Sequence, residues 1–378
     1  MMIGITAVVG IAVLMKPRSK YVFLITFFFL WLCMAGTYGN ADEEIYLSRY
    51  NNIEGWALNT ELLYGAIISF ARKIGLSFEV YKACITLIQL LLMSSTVKKF
   101  AKYPSLVLYL YFWFPFLLDV AQMRNALAMA IMIFGIRYLL ESNSQEKPKK
   151  FFDIYDYKYL ACIIAAMLVH TSAILWILLL LAKKISTKKT IVFMLICNGA
   201  VLTIFNNQML YRILVFLGVS PRIMAYVSIE YQNSEWKHIG SPLLITIVTF
   251  VFMMLIYVYL NKNKKNIPII KLEFYKKINI ILLSMIALII TVTGEVYRMQ
   301  AGVSIINYII VSNYCGDFYG LRGEFFKIRK KDAVVLSILI SYVILAMWLM
   351  EIRYGVWEVI FLPVFRNNRF IDMIFGMN

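Results

Sequence analysis

The chain has 378 residues, of which 61% are hydrophobic and only 16% charged. A water-soluble domain needs charged residues near a quarter of its total to cover its surface, so this much apolar sequence excludes a soluble globular fold. The net charge of +17 is spread over short loops between apolar runs. That pattern orients a membrane protein in its bilayer and argues against a nucleic-acid-binding role.

The apolar runs have roughly the length that crosses a hydrocarbon core, about 17 to 25 residues. In chain order they predict spans near 2–15, 21–37, 77–97, 104–118, 121–140, 158–169, 171–182, 190–205, 242–260, 278–294, 297–314 and 333–350. The first, Met1 to Met15, has neither a basic lead nor a small-residue cleavage site and is read as a retained span. The expected fold is therefore all-α: one integral membrane domain over residues 1–378, a polytopic transmembrane helical bundle of about 12 spans. Basic clusters follow alternate spans: Lys16, Arg18 and Lys20; Lys98, Lys99 and Lys102; Lys147 to Lys150; Lys183, Lys184, Lys188 and Lys189; Lys262 to Lys277; Arg322 to Lys331. With alternating spans all of them reach one side, the cytoplasmic side by the positive-inside rule.

Two segments test that parity. Residues 59–73 (NTELLYGAIISFARK) are too short to span comfortably and read as an amphipathic or re-entrant helix at the outer face. The stretch around His170 reads either as two short spans or as one long tilted helix; the basic residues from Lys183 favour two. The aromatic and Arg-rich stretch after Glu351 is expected to lie at headgroup level. Five widely spaced cysteines, Cys33, Cys84, Cys162, Cys197 and Cys315, give neither metal-ligand spacing nor a disulfide framework.

Ionisable groups at membrane depth cost a few kcal/mol or more, so each asks for a reason. Four places stand out, all in outer positions of this topology. After the second span come Asp42, Glu43, Glu44, Tyr46, Tyr50 and Glu54. They read either as a solvated acidic loop or as a carboxylate base for a sugar hydroxyl with aromatic rings that stack on sugars, Trp56 included. Gln122 and Arg124 open a middle span. Arg124 either anchors its helix, pairing with nearby Asp119, or grips phosphate with paired donors, while Gln122 serves sugar hydroxyls. His170 lies among apolar residues as a structural group or a base; two histidines in the chain exclude a His-rich metal site. Finally, Glu295, Tyr297 and Arg298 lie between two apolar runs. Arg298 either satisfies Glu295 along one helix face or supplies a second cation for a pyrophosphate.

The order of these motifs resembles the EpsG family, a branch of the Wzy-like bacterial polysaccharide polymerases. The resemblance rests on Asp42-x-x-x-Tyr46 after the second span, on Gln122-x-Arg124-x-x-x-Ala128, on His170-Thr171-Ser172-Ala173, and on the late Arg298. Glu54-Gly55-Trp56 departs from the family's pattern of Glu followed by Pro and an apolar residue. The resemblance implies an enzyme, a glycosyltransferase of the plasma (inner) membrane. It would polymerise undecaprenyl-diphosphate-linked oligosaccharide units at the outer face, for a capsule, an exopolysaccharide or an O-antigen. Arg124 and Arg298 would then stabilise the leaving diphosphate, with Asp42 or His170 as base. Glu43, Tyr46, Tyr50, Gln122, Glu295 and Tyr297 would bind substrate. No cofactor and no metal are expected, the architecture could be GT-C-like, and a flippase and a chain-length regulator are the partners this reading brings. The rival readings are a flippase or transporter of lipid-linked oligosaccharide, an O-antigen ligase-type transferase, a membrane acyltransferase and a non-catalytic scaffold.

Overall fold

The structure, a computed structural model, describes residues 1–52, 61–142, 152–204, 237–263, 269–291, 296–314, 330–352 and 356–376. Among them every regular element is helical, the one isolated β-bridge joining Thr37 to Asn368. The helices are α1 (Met2–Met15), α2 (Lys20–Gly36), α3 (Glu43–Asn51), α4 (Leu62–Lys73), α5 (Phe78–Phe100), α6 (Pro104–Tyr111), α7 (Leu117–Ala121), α8 (Met123–Ser142), α9 (Ile154–Val169), α10 (Leu179–Lys184) and α11 (Thr187–Ile204). They continue as α12 (Lys237–Asn263), α13 (Ile269–Leu282), α14 (Ile286–Thr291), α15 (Tyr297–Tyr314), α16 (Lys330–Met347), α17 (Leu362–Arg366) and α18 (Arg369–Phe375).

Local chemistry explains several boundaries. Ser19 and Ser77 cap α2 and α5, accepting from the backbone N–H of Val22 and Val80, and Pro104 sits in the first turn of α6, where its missing N–H costs nothing. At 23 residues, α5 is about 35 Å long, enough for the ~30 Å hydrocarbon core. Among the described residues six helical stretches are long and apolar enough to cross a membrane: Phe78–Phe100, Pro104–Ala121, Met123–Glu141, Ile239–Lys262, Leu272–Thr291 and Ala333–Met350. α1 and α2 are shorter apolar helices. The ninth and tenth expected spans begin earlier than anticipated: α12 starts at Lys237 rather than 242, and α13 brings helix back to Ile269 rather than 278. Between the expected spans 190–205 and 242–260, residues 205–236 lie outside the described residues, as do Lys147 to Lys150. With 12 residues, α4 spans only about 18 Å and is too short to cross, as its sequence implied.

The segment around His170 is a hairpin. At its base Lys183 meets Asp153 at 2.8 Å and also Asp156, while Lys184 reaches Asp156, so the start of α9 lies against the end of α10. Midway, Tyr159 donates to the carbonyl of Trp176 at 2.6 Å. His170 itself is extended (φ −153°, ψ 119°) and turns α9 into the 3-10 arm Thr171–Leu178. The reading as one long tilted helix is thereby excluded.

Contacts between elements define two ends. Arg18 lies 5.0 Å over the Tyr103 ring, the backbone of Lys102 donates to Asn313 at the end of α15, and Lys99 pairs with Glu141 at the end of α8. Lys277 donates to the Ile185 carbonyl. One end thus gathers the described basic loops, and α5, α8 and α15 all run toward it. The opposite end carries a cap of short elements. There Ala41 donates to Val359, Asn368 to Leu32, and Arg369 to Glu79, so the C-terminal stretch folds over the exit of α2.

Candidate functional site

The site lies at the end opposite the basic loops, where the starts of α8 and α15 and the turn at His170 meet the start of α4. Arg124 stands in the first turn of α8, just after Gln122 breaks the preceding helix (φ −95°, ψ 60°). Arg298 stands in the first turn of α15, and His170 is the turn residue of the hairpin. Cations are the charges that a helix N-terminus least favours, whereas anions are stabilised there. Two arginines at two such positions therefore make a strongly electropositive spot.

Glu61, immediately before α4, draws them together. One carboxylate oxygen pairs with the Arg124 guanidinium at 2.5 Å, the other with His170 Nδ1 at 2.7 Å. On the far side of the ring, His170 Nε2 lies 2.7 Å from a guanidinium nitrogen of Arg298. The result is a continuous line, Arg124–Glu61–His170–Arg298, from four separate parts of the chain. The Glu61 side chain is 4% exposed, and those of Arg124 and His170 are 11% and 12%, so these contacts work in a poorly hydrated pocket where electrostatics are strong. Burial opposes ionisation of Glu61, but the His170 hydrogen bond and the Arg124 charge prevail and hold its carboxyl below the ordinary range. Burial also pushes the His170 imidazole below its ordinary value; Glu61 opposes this, while the charges of Arg298 and Arg124 reinforce it.

Around this line, Tyr46 on α3 supports Arg124: its hydroxyl accepts from the Arg124 backbone N–H at 3.4 Å, and its ring lies 5.6 Å below the guanidinium. Gln122 donates to the Tyr297 hydroxyl at 3.3 Å, bridging the starts of α8 and α15. Asp119 accepts from Tyr111 at 2.8 Å and lies within electrostatic reach of Arg298. Of the two readings of Arg124, pairing with Asp119 is not what the structure shows: Glu61 supplies the carboxylate, and Asp119 belongs to the Tyr111 side of the site. Behind it, the helix from Pro104 is interrupted at Phe114 and Pro115. The Phe114 carbonyl released there accepts from Tyr308 at 3.2 Å. Irregular backbone at membrane depth is tolerated when protein satisfies it in this way.

Sequence reasoning singled out Arg124, His170, Arg298, Tyr46, Gln122 and Tyr297, and the structure brings them into one neighbourhood. Of the other expected residues, Asp42, Glu43 and Tyr50 belong to α3 and its start. Asp42 occupies the N-terminal cap position of α3, one turn before Tyr46, its backbone N–H donating to Asn40. Glu43 is committed to Lys82 at 3.4 Å, to Arg369 at 3.5 Å and to the Gly39 N–H. Tyr50 donates to the Leu76 carbonyl at 2.7 Å and packs against Phe78 and Tyr81. Glu43 and Tyr50 thus tie the cap together, which leaves little of either for substrate. Glu295, Glu54 and Trp56 lie outside the described residues. Glu61 was missed. The signal is an acid opening an apolar helix, but in a segment that reads as an amphipathic or re-entrant helix at the outer face an acid needs no special reason. Among the described residues no three His, Cys, Asp or Glu side chains cluster closely enough to hold a metal ion.

The architecture is that of a multi-pass membrane protein with a buried cation-rich site near one end. Comparison adds the family: the profile described as the EpsG family matches residues 20–362. The chain belongs to the EpsG family, and membership implies a polysaccharide-polymerase-like, glycosyltransferase-like membrane protein. No curated protein and no solved structure matches the chain.

Proposed function

We propose that the protein polymerises lipid-diphosphate-linked oligosaccharide units, of the undecaprenyl type, at the outer face of the bacterial plasma membrane, as a Wzy-type polymerase. The observation that carries this reading is the convergence of Arg124 and Arg298, each at a helix N-terminus, on the Glu61–His170 pair. The outward orientation rests on the positive-inside rule, applied to the basic loops at the other end.

The reaction asks for two things of the site. A sugar leaves from a diphosphate, so negative charge grows on a phosphate oxygen, and fixed cations near it supply what is usually the largest catalytic effect. Arg124 and Arg298 are those cations, and their planar donors suit phosphate oxygens. An acceptor hydroxyl must also lose a proton as its oxygen attacks the anomeric carbon. Of the two candidate bases, the geometry favours His170 over Asp42, because His170 shares the site with both arginines. Tyr297 and Gln122 border the same space and are suited to sugar hydroxyls.

The test is purified protein in nanodiscs, supplied with synthetic lipid-diphosphate repeat units, with chain length read on a gel. Wild type is expected to build a ladder; Arg124→Ala and Arg298→Ala, if still folded by size exclusion, are expected to leave single units. Ladders of normal length from both variants would refute the assignment. Net passage of intact units between leaflets without elongation would instead favour a flippase.

A further inference from the structure

We infer that Arg298 caps the His170 base in the free protein, and that the donor's diphosphate removes the cap by drawing the guanidinium onto itself. The inference rests on the polymerase reading above and adds an order of events to it.

The tautomer follows from the partners. A guanidinium carries only donors, so His170 Nε2, 2.7 Å from Arg298, must accept. A carboxylate carries only acceptors, so Nδ1, 2.7 Å from Glu61, must donate. His170 is therefore a neutral imidazole whose single lone pair is already occupied. In this arrangement no sugar hydroxyl, and no water, can hand a proton to Nε2. The residue best placed to act as base is held by the residue best placed to hold the leaving group.

The two contacts differ in how readily they give way. Glu61 is anchored on its other oxygen by Arg124, which in turn is braced by Tyr46, so Nδ1 stays fixed. Toward His170, Arg298 gives a hydrogen bond to a neutral ring nitrogen, while Asp119 acts on it through its charge. Against a phosphate the same guanidinium makes paired charge-assisted bonds, each roughly twice as strong as a neutral one. The N-terminus of α15 favours an anion at that point as well. A diphosphate therefore competes effectively for Arg298, whereas a neutral sugar or water does not.

Once Nε2 is released, the step balances as follows. The acceptor hydroxyl oxygen bonds to the anomeric carbon of the donor sugar, and the bond from that carbon to the diphosphate oxygen breaks, its electron pair leaving on the diphosphate. The hydroxyl proton passes to His170 Nε2. The resulting imidazolium is stabilised by Glu61, a division of roles like that of the buried acid in a Ser-His-Asp triad. Glu61 is then a positioning residue: it acts through His170. The cap keeps the base closed until the donor is seated.

The chain has two histidines, so His238→Gln leaves His170 as the sole histidine reporter. With that variant ¹⁵N-labelled at histidine in nanodiscs at pH 7.5, the Nε2 resonance is expected to show an unprotonated, hydrogen-bonded nitrogen. Saturating undecaprenyl diphosphate should move it toward an unbonded nitrogen, while neutral undecaprenol leaves it in place. Arg298→Met, added to the same background, removes every donor and should start at the released position, with affinity for the lipid diphosphate at least tenfold weaker. A His170 resonance of the His238→Gln protein that stays put under saturating lipid diphosphate, in a preparation that elongates repeat units, overturns the cap and leaves the polymerase reading standing. A preparation that neither binds the lipid diphosphate nor elongates removes the polymerase reading, and the cap falls with it. Should Arg298→Met not fold, the lipid titration of the Arg298-bearing protein decides by itself.

Discussion

Glu61 holds a guanidinium on one carboxylate oxygen and an imidazole on the other, so its charge and its hydrogen-bonding shape can be varied separately. Glu61→Ala leaves the buried Arg124 without this counter-charge. Losing one partner of a buried pair costs about 3–5 kcal/mol, and lower expression and an earlier thermal transition are expected. Glu61→Gln keeps most of the shape and removes the charge, so it should fold yet elongate more slowly, on the order of 10²-fold, the usual scale for an impaired acid–base group. The pH profile then separates a positioning role from a packing one. His170 must be neutral to accept a proton, and burial sets its pKa below the ordinary value of about 6.5, so activity should fall as pH drops through that lowered value. Glu61 acts to raise it, and Glu61→Gln should therefore move the acid limb to lower pH. If diphosphate draws Arg298 away, the ring loses a nearby cation, and the acid limb of kcat should lie above that of kcat/KM. An acid limb that Glu61→Gln does not move would rule out its action through His170. Arg124, His170 and Arg298 were legible in the sequence because each is costly at membrane depth. Their line-up was not, since Glu61 lies 63 residues from Arg124 and 109 from His170.

The elements that hold this line pack through small residues. A Cβ placed on Gly302 of α15, one turn past Arg298, would lie 2.6 Å from the Met132 side chain of α8. One on Gly135 of α8 would lie 2.7 Å from Cys162 Cβ of α9. Helices in membranes associate through such close approach, because lipid tails are as apolar as the side chains they replace. Gly135→Leu meets a neighbour's Cβ on an opposed helix and has little room to adjust, so α8 and α9 should separate and carry His170 away from Arg298. We expect loss of elongation with a destabilisation of about 1–3 kcal/mol, the usual cost of overpacking, read by thermal unfolding in detergent. A second tie lies deeper, where Gln300, Ser304, Thr249 and Tyr342 form a buried hydrogen-bonded group joining α12, α15 and α16. Asn279 and Asn307 exchange amide hydrogen bonds at 2.9 and 2.8 Å between α13 and α15. The spans were readable from hydropathy; these ties were not, because Ser, Thr, Asn and Gln in an apolar run give no sign of the helix they will face.

At the scale of the whole molecule, the two ends differ in charge and build. Exposed Lys98 lies at the end of α5 among the basic loops, and exposed Glu44 lies on α3 within the cap. In protein whose native cysteines are replaced, Glu44→Cys should react with a membrane-impermeant maleimide added to intact cells, and Lys98→Cys only after the cells are opened. The reverse pattern would turn the molecule over and place the site on the wrong side for polymerisation at the outer face. The sequence by itself determined the solvent, because 61% apolar residues arranged in long runs admit only lipid. It also put the basic loops on one common side, since charge in a short loop cannot readily cross the bilayer, and the described ones do gather at one end. Tertiary structure alone decided that His170 tops a hairpin and that Glu43 and Tyr50 bind the cap rather than the site. It also placed a carboxylate from the start of α4 between two arginines. The physical reason is range: hydropathy and charge act along the chain and are written in it locally, whereas a hydrogen bond between distant residues exists only once helix packing has brought their ends together.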